Sequence, residues 1–322
     1  ALELTAQLCQ LKKGDEVIIP SHTYTSSAYP FIKQGAKIVW ADIDLETRVI
    51  SGETIKKCLT KKTKVIVAPH LYGYCIDIQS IYKIVKNKKI LIVEDAAQAI
   101  GSSFKNKQAG TFGDFGIFSF HSHKNISTLG EGGMLVVKDK KYADIIPMLR
   151  HNGHCDFNYS RKDYWSPAMG NLDLPRLKGS NIIPNNFCLG EAQSALGSIL
   201  LKRIKKINEK KRKRAIYFID KLKNFENIRF HRVDTNRHNY HLLVALDHGG
   251  KRDNFISMMS SEKKIQCAVQ YYPLNRYPLY KKLGFGKADC PNANYFFDNM
   301  ISFPFQQTIS DNQFEYLLES SI

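Results

Sequence analysis

The sequence predicts an α/β fold, with a mostly parallel sheet between helices in a large domain and a smaller C-terminal α+β domain. The first observation is a series of short apolar runs of strand length within residues 16–140. The second is that helical patterns separate these runs, which is typical of a parallel sheet covered on both faces. The third is a long helical pattern over residues 190–222, beyond which the strand patterns resume.

Apolar runs in the first 140 residues predict the strands of the large sheet. They lie at residues 17–19, 38–40, 64–68, 90–93, 115–120 and 134–137. Apolar residues at spacings of three and four predict helices at 51–59 and 78–85 between these strands. The functional groups of such a sheet gather where its strands end, so the residues after each run are the candidates for chemistry.

The second half of the chain has a different character. Residues 150–185 are rich in Asn, Gly, Pro and aromatic residues, which predicts a long functional loop region. The helical pattern at 190–222 is expected to join a large domain, residues 1–200, to a small domain, residues 201–322. Strands are expected in the small domain at 241–246 and 268–272.

Composition excludes several classes of protein. The chain has 322 residues, of which 43% are hydrophobic and 24% charged, values that exclude disorder, collagen and coiled-coil arrays. Mean hydropathy is -0.32, and no apolar run approaches the roughly 18 residues of a membrane span. Seven cysteines without a CxxC pair predict reduced thiols and a cytoplasmic protein.

The net charge of +17 is compatible with nucleic acid or with phosphorylated ligands. Nine basic residues and one acidic residue lie in the run KRIKKINEKKRKR, residues 202–214. This run is either the solvated face of a helix or a nucleic-acid contact. Because no aromatic stacking platform accompanies it, we favour the solvated helix face.

The segment EDAAQ, residues 94–98, follows an apolar strand and carries the first candidate residues. A carboxylate is costly to bury without a cation, so Asp95 either faces a cationic group or caps a helix. Gln98, three residues further on, would present an amide on the same side.

The segment SFHSHK, residues 119–124, carries a lysine in the loop after the strand at 115–120, and glycines follow it. The amine of Lys124 is either a nucleophile or one surface lysine among many. His121 and His123 could form a metal pair, but no carboxylate or cysteine stands at a matching spacing, so no metal is expected. Asp95, Ser119 and Lys124 together suit pyridoxal phosphate, which needs a carboxylate for its ring nitrogen, a hydroxyl for its phosphate and an amine for its aldehyde.

The segments that contain these residues resemble the DegT/DnrJ/EryC1/StrS family of nucleotide-sugar aminotransferases. This resemblance implies the fold type I architecture of pyridoxal phosphate enzymes. The resemblance covers essentially the whole chain in order, and VEDAAQA followed by SFHSHKNISTLGEGG is highly specific. The matching stretches are GDEVIIPSHTYTSSA (14–28), GAKIVWADID (35–44), VEDAAQAIGS (93–102), GTFGDFGIFSFHSHKNISTLGEGGMLV (110–136), LRHNGH (149–154), PNNFCLGEAQSALG (184–197) and FPFQQTISDNQ (303–313).

The resemblance implies a role for each matching residue. Lys124 would be the catalytic residue that forms the Schiff base with the cofactor, and Asp95 would pair with the cofactor's ring nitrogen. Gln98 would contact the side of the ring hydroxyl, Tyr24 would stack on the ring, and Ser119 would bind the phosphate. The enzyme would move an amino group from glutamate to a keto-sugar nucleotide, in deoxy-amino-sugar biosynthesis for a surface polysaccharide or glycan.

The resemblance also implies a partner subunit. Asn186 would reach the phosphate of the neighbouring active site, which makes the expected assembly a homodimer with shared sites. His121 matches the family position three before the lysine, without an assigned role. Arg often follows Asn-Tyr in the family, whereas Phe187 and Cys188 follow Asn186 here. The family pattern also has about fifty residues ahead of Ala1, including a Gly-Thr pair that helps to hold the phosphate.

Three alternatives stay open at this point. Some members of the family dehydrate a sugar with the same cofactor and carry His in place of the lysine, and a non-catalytic regulatory homologue would keep only the fold. A nucleic-acid-binding protein would use residues 202–214. In an enzyme, the aromatic and basic segments 154–176 and 270–277 either contact the sugar or nucleotide or pack between domains.

Overall fold

The computed structural model describes residues 1–86, 89–156, 168, 170–177, 180–232 and 237–322. Their strands are β1 (Glu16–Pro20), β2 (Lys37–Ala41), β3 (Thr63–Pro69), β4 (Leu91–Asp95), β5 (Ser103–Phe104), β6 (Lys107–Gln108), β7 (Phe115–Ser119), β8 (Gly133–Val137), β9 (His154–Cys155), β10 (Asn171–Leu172), β11 (Ile228–Phe230), β12 (Leu243–Asp247) and β13 (Met300–Phe303). Their α-helices are α1 (Leu2–Leu8), α2 (Tyr29–Lys33), α3 (Gly52–Lys56), α4 (Ile78–Val85), α5 (Lys140–Ala143), α6 (Ile146–Arg150), α7 (Glu191–Lys221), α8 (Arg252–Ser261), α9 (Pro278–Lys282), α10 (Pro291–Asn299) and α11 (Asp311–Ser321).

Within the described residues, the central sheet has six strands in the spatial order β2-β1-β3-β4-β7-β8. Neighbouring strands run parallel from β2 to β7, and only the edge strand β8 is antiparallel to its neighbour. Every residue of β1 is buried, which agrees with an apolar strand covered on both faces. The predicted mostly parallel sheet with helices is therefore confirmed.

The two helices predicted between the first strands both form, and side chains define their starts. Ser51 and Thr54 make a reciprocal capping box at the start of α3, and the Asp77 side chain accepts the Ser80 N–H at the start of α4. Helix α3 ends at Lys56 rather than at residue 59. The hydroxyl of Thr63 accepts the backbone N–H of residue 60, so a side-chain turn replaces the last helical turn.

Helix α7 spans 31 residues and leads into a second, antiparallel sheet of three strands in the order β11-β12-β13. A separate apolar core lies against this sheet and includes Phe218 of α7 and Phe314 of α11. Other residues of the second half, such as Val244 and Phe296, pack into the main core. The division into domains at residue 200 stays a prediction. None of the helices in the described ranges combines the length and apolar character that crossing a bilayer requires.

The strand expected at 268–272 is wrong. Only Ala268 pairs with a strand, as an isolated antiparallel bridge to Ser302 of β13. The next backbone groups have other partners, since the Tyr72 hydroxyl donates to the carbonyl of Gln270 at 2.6 Å. Pro273 then follows and lacks the N–H that a ladder would need. This segment instead delivers Tyr271 to the site described below.

Candidate active site

Asp95 is the last residue of β4, so its carboxylate lies at the carboxyl edge of the parallel sheet, where ligand sites of this architecture form. The side chain is buried. The Ser27 hydroxyl donates to Oδ2 at 2.7 Å, and the backbone N–H of Ala97 donates to Oδ1 at 3.1 Å. Residues 96–100 form turns rather than a helix, so Asp95 does not cap a helix here.

Glu94, the residue before Asp95, has a different role because successive residues of a strand point to opposite faces. Its carboxylate contacts His70 Nε2 at 2.8 Å and accepts backbone N–H groups from Gly110 and Phe112 at 2.9 and 2.6 Å. Burial opposes ionisation, but the hydrogen bonds from His70 and the 110–113 backbone outweigh it and hold the pKa of Glu94 below its usual value. Glu94 therefore fastens a loop to the sheet.

Lys124 lies in the loop that follows β7, the strand directly beside β4. The residue is half-buried; burial lowers the pKa of Lys124, and the carboxylate of Asp95 acts in the opposite direction. The structure thus brings Lys124 and Asp95 into one electrostatic environment. The loop is held by its own backbone, with the N–H of Thr128 bonded to the carbonyl of Phe120 at 3.0 Å.

Ser119 is the last residue of β7, at the same edge of the sheet. Its hydroxyl accepts the backbone N–H of His121 at 3.3 Å and keeps its own proton available for a further acceptor. His121 is 3.6 Å from the carboxylate of Glu131, and its ring packs edge-on against the ring of His123 with centroids 4.9 Å apart.

Gln98 is held by both ends of its amide. Its Oε1 accepts the backbone N–H of Tyr72 at 2.7 Å, and its Nε2 donates to the Tyr271 hydroxyl at 3.0 Å. Burial raises the pKa of Tyr271 to about 12, so this hydroxyl is neutral and can accept the bond. The Tyr271 ring meets the ring of Tyr24 edge-on at 5.8 Å, and Tyr24 is 55% exposed. Tyr24 and Gln98 thus share Tyr271 as a common neighbour.

Asn186 is exposed and forms an isolated antiparallel bridge with His151, outside the hydrogen bonds that hold Asp95 and Gln98. Of the loop 154–176, residues 157–167 and 169 lie outside the described residues. The loop's expected contact with substrate therefore stays a prediction.

Two residues of the site were not predicted from the sequence. Ser27 stood inside the stretch HTYTSSA with no local signal that its hydroxyl reaches Asp95. Tyr271 belonged to the aromatic segment 270–277, for which contact with substrate and packing between domains were both open, and nothing in the sequence indicated its contact with Gln98. Both contacts join distant parts of the chain, so only the folded chain reveals them.

Comparison with known proteins identifies the family of the whole chain. The model of the DegT/DnrJ/EryC1/StrS aminotransferase family matches residues 1–321. A GDP-perosamine synthase of Escherichia coli O157:H7 is 29% identical over 320 residues, which cover 99% of this chain and 82% of that protein.

Solved structures are similar over almost the whole chain. Helicobacter pylori PseC, an aminotransferase involved in the biosynthesis of pseudoaminic acid, superposes with a TM-score of 0.87 at 25% identity, over 99% of this chain and 82% of that one. The GDP-4-keto-6-deoxy-D-mannose-3-dehydratase of E. coli with bound hydrated PLP superposes with a TM-score of 0.82 at 25% identity, over 100% and 85% of the two chains.

Proposed function

Since the chain belongs to the DegT/DnrJ/EryC1/StrS aminotransferase family, we propose that it transfers the amino group of glutamate to a keto-sugar nucleotide. It is a pyridoxal-phosphate-dependent sugar aminotransferase of fold type I. The observation that carries the proposal is geometric: Asp95 ends β4, and Lys124 lies in the loop that follows the neighbouring parallel strand β7, at the same edge of the sheet. The product would be a deoxy-amino sugar for a surface polysaccharide or glycan.

The carboxylate of Asp95 provides a test of whether pyridoxal phosphate fits. It is buried, and its two hydrogen-bond donors, Ser27 and Ala97, are neutral. Within the described ranges of the chain, no side-chain cation forms an ion pair with it. A buried carboxylate is stable when a cation pairs with it, and a protonated ring nitrogen would supply that charge. The residues present therefore fit the cofactor.

Pyridoxal phosphate, when bound, supplies an aldehyde that accepts the amino group and a ring that withdraws electrons. Lys124 would bond that aldehyde through Nζ, and its lowered pKa favours the neutral amine that such a nucleophile needs. With the amino donor in the site, the free Nζ of Lys124 would be the group that removes the proton from the donor α-carbon and holds it, as base and then as acid.

The other residues would bind and orient. Asp95 would hold the proton on the ring nitrogen, with its carboxylate oriented by the Ser27 hydroxyl. Tyr24 would cover one face of the ring, and Gln98 would approach the ring hydroxyl while Tyr271 restricts its amide. Ser119, at the end of β7, would donate its hydroxyl proton to the phosphate.

A homodimer with shared sites is part of the proposal. Asn186 is exposed and would reach the phosphate in the neighbouring subunit. Large apolar side chains near it in sequence are also exposed, among them Ile183 (77%) and Phe187 (47%). Exposed large apolar side chains are typical of a surface that binds protein when they form one patch, and we propose that these contact the partner subunit. We further propose that the enzyme works in the cytoplasm, where nucleotide sugars would be its substrates.

The experiment is a screen of keto-sugar nucleotides with glutamate, in which formation of 2-oxoglutarate is followed. Lys124→Ala should abolish both turnover and the visible absorbance of the lysine-bound cofactor. Lys61→Ala removes an exposed lysine before β3 and should change neither. Full transamination by Lys124→Ala would contradict the proposal. A product that has lost a hydroxyl without gaining nitrogen would identify a dehydratase instead.

A further inference from the structure

A cluster of polar side chains is buried directly behind Lys124. It consists of Asn125 in the lysine loop, Asn208 and Lys211 on α7, and His241 just before β12, each at most 6% exposed. Burying polar groups costs free energy unless hydrogen bonds replace those to water. Apolar side chains could fill the same space at a lower cost in free energy. The presence of four buried polar side chains here therefore calls for a functional explanation.

The contacts converge on the side-chain amide of Asn125. Lys211 Nζ donates to Asn125 Oδ1 at 3.4 Å and to the backbone carbonyl of His241 at 2.9 Å. His241 Nδ1 lies 3.3 Å from the same Oδ1, which can only accept, so Nδ1 carries the proton. At the other end of the amide, Asn125 Nδ2 donates to Asn208 Oδ1 at 2.8 Å, and Asn208 donates to the carbonyl of Ile100 at 2.8 Å.

Lys211 lacks an acidic partner, since no ion pair to it occurs in the parts of the chain that the structure describes. Its stem lines a surface cavity of about 520 Å³, and the Phe305 ring lies 5.4 Å from its amine. The charged and titratable side chains that line the cavity, Arg203, Lys206, Lys210 and Arg214, are basic, and so are Lys124, His123 and His238, which act on His241. Asp311 lies beside the cavity and pairs with Arg214 rather than with Lys211. Burial lowers the pKa of Lys211 to about 7. Charge neutralisation therefore does not explain this buried amine.

We propose that Lys211 is a positioning residue for Lys124. Its amine, together with His241, holds the side chain of Asn125 and thereby fixes the backbone of the loop that carries Lys124. The proposal rests on the proposed function only in its consequence for catalysis. Lys211 belongs to the 31-residue helix α7, and His241 directly precedes β12, a strand that is buried throughout. These two elements give the loop a rigid support that its own backbone bonds alone do not provide.

The effect on the reaction follows from geometry. A catalytic amine must lie close to its productive position, and a shift of about 1 Å can cost about a hundredfold in rate. Loss of the Lys211 contact should therefore lower kcat and leave KM for glutamate nearly unchanged, because the substrate-binding groups remain in place.

The test uses the full chain without cofactor or substrate, followed by hydrogen–deuterium exchange and mass spectrometry. Lys211→Met removes the donor but keeps most of the stem. It should accelerate exchange in peptides covering residues 120–130 by about tenfold, the change expected for loss of one buried hydrogen bond. Lys213→Met makes the same change in charge on α7 at a side chain that is 77% exposed, and it should leave this exchange unchanged.

Asn125→Ala removes the same hydrogen bond from the loop side. It is the second test of the proposal and replaces Lys211→Met if that variant does not fold. It should accelerate exchange in the same peptides at least as much, because the contacts of Asn125 with Asn208 and His241 are lost as well, and the double variant should not exceed the larger of the two single effects. Unchanged exchange at 120–130 in either single variant, or additive effects in the double variant, would overturn the proposal. Because this readout needs no activity, a chain that shows the exchange pattern but no transamination would refute the proposed function alone.

Discussion

The Ser27 hydroxyl donates a hydrogen bond of 2.7 Å to Asp95 Oδ2, across 68 positions of sequence. Ser27 lies in the 3-10 turn Thr25–Ser27 after β1, and Asp95 ends β4, with β3 between these two strands in the sheet. The carboxyl ends of parallel strands lie at one edge of a sheet, which is why the two residues can meet. The orientation of the carboxylate is therefore a property of the fold.

Ser27→Ala should lower kcat by about tenfold, because one oxygen of a buried carboxylate then loses its donor. The proton on the cofactor's ring nitrogen would be held less firmly in place. The measurement is steady-state kinetics with glutamate, alongside the absorbance of the cofactor-bound chain. Ser26→Ala, at the neighbouring position, is the control and should behave as the unchanged chain. Equal rates for both variants would mean that this hydrogen bond has no catalytic role.

Glu94→Gln should lower the free energy of unfolding by about 3 kcal/mol or more. The amide keeps a single acceptor oxygen and turns an NH₂ group toward backbone N–H groups such as those of Gly110 and Phe112. Urea denaturation monitored by circular dichroism measures the change. Glu131→Gln, at a side chain that is 84% exposed, should cost little.

The contribution of Glu94 should also depend on pH. Its folded-state pKa lies below the ordinary value of 4.5, so the unfolded chain binds the proton more readily. The stabilisation is therefore complete above pH 4.5 and is lost as the pH falls through the folded-state pKa. The difference in urea midpoint between the unchanged chain and Glu94→Gln should shrink on acidification from pH 6 to pH 3. A constant difference would show that ionisation of Glu94 does not contribute.

The buried amine of Lys211 should make the stability of the chain depend on pH above neutrality. Its pKa is lowered from 10.5 to about 7, so between these values the unfolded chain holds a proton that the folded chain has released. Stability from this group therefore rises with pH across that window, by an amount of the order of a few kcal/mol. Relative to Lys211→Met, the unchanged chain should gain in urea midpoint between pH 7 and pH 9.5. A gap that stays level would contradict the lowered pKa.

If the active sites are shared between subunits, a mixture of two inactive variants should regain activity. Lys124→Ala and Asn186→Ala should each be nearly inactive, because each lacks one residue of every site. After subunit exchange in an equal mixture, about half of the dimers are mixed and carry one intact site of two, which gives about a quarter of full activity. No recovery after confirmed exchange would mean that Asn186 does not act in the neighbouring site.

The sequence predicted the architecture well because hydrophobic period is a local property. The apolar runs that became β1, β3 and β4 needed no knowledge of their neighbours, and the specific motifs identified the family. The expected strand at 268–272 was wrong because its backbone groups bind Tyr72 and other distant partners instead of a ladder. A local pattern carries no information about such partners.

The sequence by itself determined the fold class and the family, and it identified Lys124 and Asp95 as the main candidate site residues. Only the tertiary structure decided that Ser27 orients Asp95, that Tyr271 restrains Gln98 and that Glu94 is structural although it adjoins Asp95. The physical reason is that strand and helix patterns arise from the repeat of neighbouring residues, whereas the partner of a buried polar group depends on which distant segments the sheet brings to one edge.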